Sequence, residues 1–338
     1  MEKIIQEAGL DLRNPTEQAL SKVGSLLRIE EKKGIWLAAP TPLAIGQDTD
    51  ATIYGFDFYS THDRPGRYFK DSAVVVVTRV ESRETFANLV IEPIEKDPDK
   101  PTPEPDTTPR PEIKLLQRFS IRLRERLEEL PWRTGTYLVD VLFDNQVSNR
   151  AQFQLTAGLP AEKDPAIVAF IEQQRAAEGG PKELFPLPGG SGKYPNYRKT
   201  EDSLPVPSGV GIHLEAERVS VYKADAQSVL RGSFRLPVPA AYYRNSSGDG
   251  SATAAVPITL VIAGNLMPGP FVAPLRVASY DPIDRKAAES TVTGQFEIDL
   301  FALQETSKVP QTYTIWAYSG TARSTPVQAA VITPEMLK

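Results

Sequence analysis

F-S-I-R-L-R-E-R-L-E-E-L-P-W-R-T-G-T-Y-L-V-D-V-L-F-D-N-Q-V-S-N-R-A-Q-F-Q-L, residues 119–155, returns near the C-terminus as F-E-I-D-L-F-A-L-Q-E-T-S-K-V-P-Q-T-Y-T-I-W-A-Y-S-G-T-A-R-S-T-P-V-Q-A-A-V-I, residues 296–332. Both copies open on an alternating Phe-x-Ile-x-Leu, pass through a Pro and reach a Tyr that starts a second alternating run. Tyr137 and Ser148 are 11 residues apart, as are Tyr313 and Ser324. The correspondence extends upstream. Gly55 interrupts I-Y-G-F-D-F and Gly232 interrupts L-R-G-S-F-R-L, and each lies 64 residues before its Phe, at Phe119 and Phe296. The offset of 177 residues shared by these two landmarks implies an internal duplication.

Composition sets the frame. A chain of 338 residues exceeds one ordinary core and suits two domains. Its 24% charged and 41% hydrophobic residues are those of a globular protein. The net charge of −5 argues against a dedicated nucleic-acid binder. The longest strongly apolar run, Ala254–Ala263, contains Pro257 and is about half the ~20 residues a membrane helix needs. The N-terminus, M-E-K-I-I-Q-E-A-G-L, has no signal-peptide core. The absence of cysteine excludes disulfides, thiolate catalysis and zinc–thiolate sites. Cytoplasmic residence is the default expectation, with leaderless export or incorporation in an extracellular assembly as the alternative.

Taken in order, residues 1–33 read as an N-terminal helical arm. Asn14-Pro15-Thr16-Glu17 predicts an N-cap at Asn14 with Pro at the first helical position, and Leu20, Val23 and Leu27 follow as an apolar stripe. Such a helix either packs on its own domain or docks on a partner. From Gly34 the period becomes two. Strands are predicted at 35–39, 51–59, 73–80 and 86–91, then at 117–124 (with a helical turn through Leu130), 136–143 and 151–156. Residues 92–114 carry Pro at nearly every second or third position and read as an extended loop inside the first domain, 34–158. Residues 159–209 read as an interdomain helix, begun at Asp164-Pro165, and a Pro/Gly-rich linker. A second domain, 210–338, follows, with strands at 212–222, 228–236, 256–263, 273–278, 293–301, 312–318 and 327–332.

Seven short strands per unit without β–α alternation predict a mainly β protein of two tandem antiparallel β-sandwiches. The turn L-P-W-R-T-G-T-Y, ending at Tyr137, resembles the tyrosine corner of immunoglobulin-like and fibronectin-type domains, and K-V-P-Q-T-Y, ending at Tyr313, resembles it more weakly. The resemblance concerns fold and implies no function.

Catalytic signatures are sparse. His62 and His213 are the only histidines, which rules out a three-histidine metal site and restricts any Ser-His-Asp triad to one of them. G-G-S-G-K at 189–193 fails both the nucleophile-elbow and the phosphate-loop patterns. Asp48-Thr-Asp50 lacks the continuation of a calcium loop, and Asn245-Ser246-Ser247 is a bare glycosylation triplet. Neither a metal nor another cofactor is expected. Carboxylates are plentiful, but no pair stands out.

Two features point to binding. The loops between second and third strands, 60–72 and 237–250, each set aromatics beside an Arg: Arg67, Tyr68 and Phe69 in one, Tyr242, Tyr243 and Arg244 in the other. The same rings could instead fold back over the ends of their cores. The second feature is an inversion of sign: the outward positions of the Phe119 strand are Arg118, Ser120, Arg122 and Arg124, and those of its counterpart are Gln295, Glu297, Asp299 and Phe301. Guarded edge strands explain this, as does complementary association of one copy with another. The leading expectation is a non-catalytic binding, structural or assembly protein that bridges protein partners or itself. A carbohydrate- or ligand-recognition module using Trp36, Trp132 or Trp316, and a hydrolase with a carboxylate pair, are the alternatives.

Overall fold

Runs of β-branched and aromatic residues from Gly34 onward form strands, and the chain is mainly β. The computed structural model describes residues 1–40, 52–61, 69–90, 112–128, 130, 132–157, 165, 168, 204–216, 219–221, 228–245, 251–264, 267, 269–279, 283–284, 286–300 and 310–332. The Pro-rich loop up to residue 111, nearly all of the expected interdomain helix, most of the linker, the 48–50 and 189–193 motifs and His62 lie outside them.

The arm contains two helices, α1 (Glu2–Ala8) and α2 (Glu17–Ile29). Gly9 ends α1 in the left-handed region, φ 67°, which glycine enters without a Cβ clash. The N-cap of α2 is Thr16 rather than Asn14, because the Thr16 hydroxyl reaches the Ala19 N–H (3.2 Å). Val23 and Leu27 are fully buried and pack with Ile4 against Phe56, Trp36 and Leu116. The arm is therefore seated on its own half of the molecule. Its stripe covers the outer face of the adjoining sheet.

In the N-terminal half the chain runs β1 (Gly34–Ala38), β2 (Thr52–Ser60), a turn of helix α3 (Phe69–Ser72), β3 (Val74–Arg79), β4 (Thr85–Leu89), β5 (Lys114–Arg122), α4 (Leu123–Arg126), β6 (Gly135–Phe143), β7 (Gln146–Val147) and β8 (Ala151–Leu155). The ambiguous stretch 113–130 is thus a strand and one short helix, with Leu127 and Leu130 buried beyond it. One sheet has the order β1-β2-β5. In the other, β4, β3 and β6 are neighbours, and β6 also pairs with β7 and β8. All pairings are antiparallel. Alternate residues of both sheets, among them Ile53, Val75, Ile121, Val139 and Phe153, meet in one core.

The C-terminal half repeats this order. It runs β9 (Gly211–Ala216), β10 (Val219–Val221), β11 (Val229–Pro239), β12 (Tyr243–Asn245), β13 (Ser251–Gly264), β14 (Phe271–Ala278), β15 (Ile283–Asp284), β16 (Glu289–Asp299), β17 (Gln311–Ser319), β18 (Ala322–Arg323) and β19 (Val327–Ile332). One sheet is β9-β11-β16, and in the other β14, β13, β17 and β19 are consecutive neighbours. The single strand expected at 212–222 is split: β9 stays beside β11, while β10 crosses to pair in parallel with β19. Of the expected 237–250 loop, 237–239 continue β11 and 243–245 form β12, while 246–250 lie outside the described residues. β11 continues through Pro237 and Pro239 because beyond Arg235 it pairs only with β16, so one side of the strand needs no N–H donors.

The duplication is visible atom by atom. Gly55 faces Phe119 across β2 and β5, and Gly232 faces Phe296 across β11 and β16. The far end of each Phe ring covers its glycine: a Cβ built there would come within 2.1 Å of Phe119 Cζ or Phe296 Cζ. The serines match too. Ser148 Oγ accepts from the Val141 N–H and Ser324 Oγ from the Ala317 N–H, both at 2.9 Å.

Candidate functional site

A strand of a sandwich with one wet face should alternate apolar and polar residues. β3, β6 and β17 do not. Val74 to Val77, Leu138 to Phe143 and Tyr313 to Ser319 are buried at every position. Their second faces meet each other. Val74, Val76, Leu89 and Leu142 of the N-terminal half form one apolar cluster with Val261, Trp316 and Tyr318 of the C-terminal half. The two halves thus pack through the outer faces of corresponding sheets. Val76 is opposite Asp140 in β3 and β6, and Val261 is opposite Trp316 at the same place in β13 and β17.

Charge sits within this apolar contact. Asp140, 2% exposed, receives Arg150 Nη2 at 2.8 Å from its own half and Arg323 Nη1 at 2.6 Å from the other. Arg150 also donates to the Thr321 carbonyl across the contact. Both carboxylate oxygens therefore meet a guanidinium, as burial of an ion requires. Tyr318, on the neighbouring outward position of β17, has its hydroxyl buried with no hydrogen-bond partner, and so has the Trp316 indole N–H. Burial first, and then the Asp140 charge, push the Tyr318 hydroxyl well above the ordinary tyrosine range.

Arg83 adds a second grip on the same β17–β18 turn. It lies between β3 and β4 with φ 58°, left-handed for a residue with a Cβ. Its Nη1 donates to Ser319 Oγ (3.0 Å), its Nη2 to the Pro237 carbonyl, and its guanidinium carbon sits 5.8 Å from the centre of the Tyr242 ring. The Tyr242 hydroxyl returns the contact by donating to the Ser82 carbonyl (2.8 Å). Burial lowers the Arg83 pKa, opposed by the neighbouring Tyr242 and Glu289. Burial also pushes Tyr242 up to about 12, partly offset by Arg83.

The residues singled out from the sequence are scattered by this arrangement. Phe69 is 2% exposed and packs on Phe119 and Phe143, with ring centres 4.7 and 5.6 Å away. It closes the end of the N-terminal core and offers nothing to an outside partner. Tyr242 belongs to the contact between halves. Tyr243 is half-buried and donates to Ser290 Oγ (2.9 Å). Arg244 lies on β12 opposite Thr253. Arg67, Tyr68 and the Arg244 side chain lie outside the described residues. Of the tryptophans, Trp316 is buried, Trp36 donates its N–H to the Lys32 carbonyl beneath the arm, and half-buried Trp132 has Arg124 5.1 Å over its ring.

His213 and Glu215 form an exposed pair (3.2 Å) on β9, and Ser233 is the cross-strand neighbour of His213. The three could suggest a triad, but the Ser233 hydroxyl is buried and donates to the Pro205 carbonyl (2.7 Å). Among the described residues, no three His, Asp or Glu side chains are grouped to hold a metal ion. No helix there is long and apolar enough to cross a membrane.

The tyrosine corner is present at Tyr137. Its hydroxyl donates to the Arg133 carbonyl (2.9 Å) and accepts from the Arg133 N–H (3.1 Å), four residues upstream. Tyr313 is likewise buried, hydrogen-bonded to the Gln311 side chain.

No family model matches the sequence, and no curated protein does. A solved structure reported under "Structural basis of neurohormone perception by the receptor tyrosine kinase Torso" is similar over 90% of this chain and 80% of that one, at 7% identity and a TM-score of 0.19. That similarity carries no argument about fold or function.

Sequence reading missed Arg83, Asp140, Arg150 and Arg323. The available signal was V-V-V-V at 74–77 together with an acid inside T-Y-L-V-D-V-L-F. A strand apolar on both faces must be covered twice, and a carboxylate inside it needs a partner.

Proposed function

We propose that this protein is a non-catalytic structural or assembly component, built of two immunoglobulin-like sandwiches in tandem and holding protein partners at a fixed separation. The single observation that carries this is the contact between the halves, in which Asp140 is gripped by Arg150 and Arg323 and Arg83 reaches Ser319 beside them on the β17–β18 turn. Such a contact removes the freedom that a Pro/Gly-rich linker would otherwise give and makes the chain a stiff spacer. The repeated strand order and the Tyr137 corner support the immunoglobulin-like assignment. The test is to purify the chain from its own source, cross-link it and map the cross-linked residues. A stoichiometric protein neighbour supports the reading. Retention of a glycan or small substrate, with no protein cross-linked, overturns it.

A further inference from the structure

We propose that copies of this chain join edge to edge, with β5 of one copy adding to β16 of the next. The two strands occupy the same place in the duplicated architecture, each at one end of a three-stranded sheet, and no strand among the described residues lies beyond either. They are long, 9 and 11 residues, and free of proline, so nothing in their backbones prevents a further strand from pairing. Their charges are opposite and unmixed. β5 carries Lys114, Arg118 and Arg122 with no acid, and β16 carries Glu289, Glu297 and Asp299 with no base. Since Ile121 of β5 and Ile298 and Val292 of β16 point into the cores, period-two alternation puts all six charges on the outer faces.

This pattern discriminates between possible partners. Pairing β5 with another β5, or β16 with another β16, sets like charges side by side, which disfavours both. Pairing β5 with β16 aligns opposite charges along a continuous outer face. Asp299 accepts from the Ser228 N–H (3.0 Å), and Lys114, Arg118, Arg122 and Glu297 already have charged neighbours within the chain, Glu31, Glu17, Glu125 and Arg231. The charged pairs are solvent-exposed, of the kind that contributes little and exchanges partners readily. Joining two different edges is a heterologous contact, so it propagates as an open chain unless the rotation closes a ring.

The inference rests on the reading of the protein as an assembly component. Sedimentation velocity of the full chain over a range of concentrations tests it. Association should grow with concentration and weaken as salt is raised. Reversing one edge with Arg118→Glu and Arg122→Glu, or the other with Glu289→Lys and Glu297→Lys, should leave each variant monomeric. Mixing the two reversed variants should restore association. Neutral versions, Arg118→Gln with Arg122→Gln and Glu289→Gln with Glu297→Gln, should weaken it in the same direction and serve if a reversal prevents folding. A parent that stays monomeric, reversed variants that associate like the parent, or a mixture that recovers nothing overturns the proposal. If the monomeric parent still cross-links to a different protein, only the edge pairing falls. If it does neither, the assembly reading falls with it.

Discussion

Cutting the grip on Asp140 is the sharpest test of how the halves are joined. In Asp140→Ala the carboxylate disappears and the guanidiniums of Arg150 and Arg323 face each other across an apolar cluster. Removing one member of a fully buried ion pair costs about 3–5 kcal/mol. Here the arginines keep 23% and 27% of their side-chain surface, so water can solvate them in part, and a loss of about 2–3 kcal/mol is expected. Arg323→Ala removes the arm that crosses between the halves, and its loss should overlap with that of Asp140→Ala. A double-mutant cycle followed by urea denaturation should therefore give a coupling of about 1–2 kcal/mol. Weakening the contact should also separate unfolding into two steps, since each half has its own core. A loss below about 0.5 kcal/mol for Asp140→Ala, the additivity limit for independent sites, would refute the reasoning, as would strictly additive single losses.

Two tyrosines should respond with opposite sign. Tyr137→Phe deletes a hydroxyl engaged twice by Arg133 and should lower stability by about 1 kcal/mol, whereas Tyr318→Phe deletes a buried hydroxyl with no partner and should be neutral or stabilising by up to about 1 kcal/mol. Thermal or urea melts of the pair decide it, and equal losses would contradict the assigned hydrogen bonding. Gly55→Ala and Gly232→Ala should each cost about 1–3 kcal/mol by overpacking against Phe119 and Phe296, and each should be relieved in the double variant with Phe→Leu at the facing ring. A neutral Gly55→Ala would mean that the ring does not rest on the glycine.

Much of the fold was legible because it rests on local pattern. The Gly55–Phe119 and Gly232–Phe296 spacings marked positions that do become the same cross-strand pair, and Tyr137 marked a corner that does form. What stayed hidden was long-range. Arg67, Tyr68, Phe69 and Tyr242 to Arg244 are rings beside cations, a pattern that suits a binding surface and an internal contact alike. Phe69 went into a core, and Tyr242 stacks with Arg83, a residue 159 positions away in the chain. Composition cannot state which distant arginine a tyrosine will meet. The sign inversion between β5 and β16 was legible as charge, but its neighbours Glu17 and Glu31 come from an arm whose docking only the packing of Val23 and Leu27 reveals.

The contact between the halves also bears on how such a chain can change. Counting from the matched tyrosines, Asp140 corresponds to Trp316 and Leu142 to Tyr318, so the same two strand positions were recruited on both sides. The two patches are the same surface of the repeated unit and now carry different residues. A chain made of two N-terminal halves would bring two aspartates to the seam, and one made of two C-terminal halves would bring two tryptophans and no carboxylate for Arg323. Each half thus carries a seam fitted to the other, and a substitution accepted there on one side restricts what the matching position on the other side can accept.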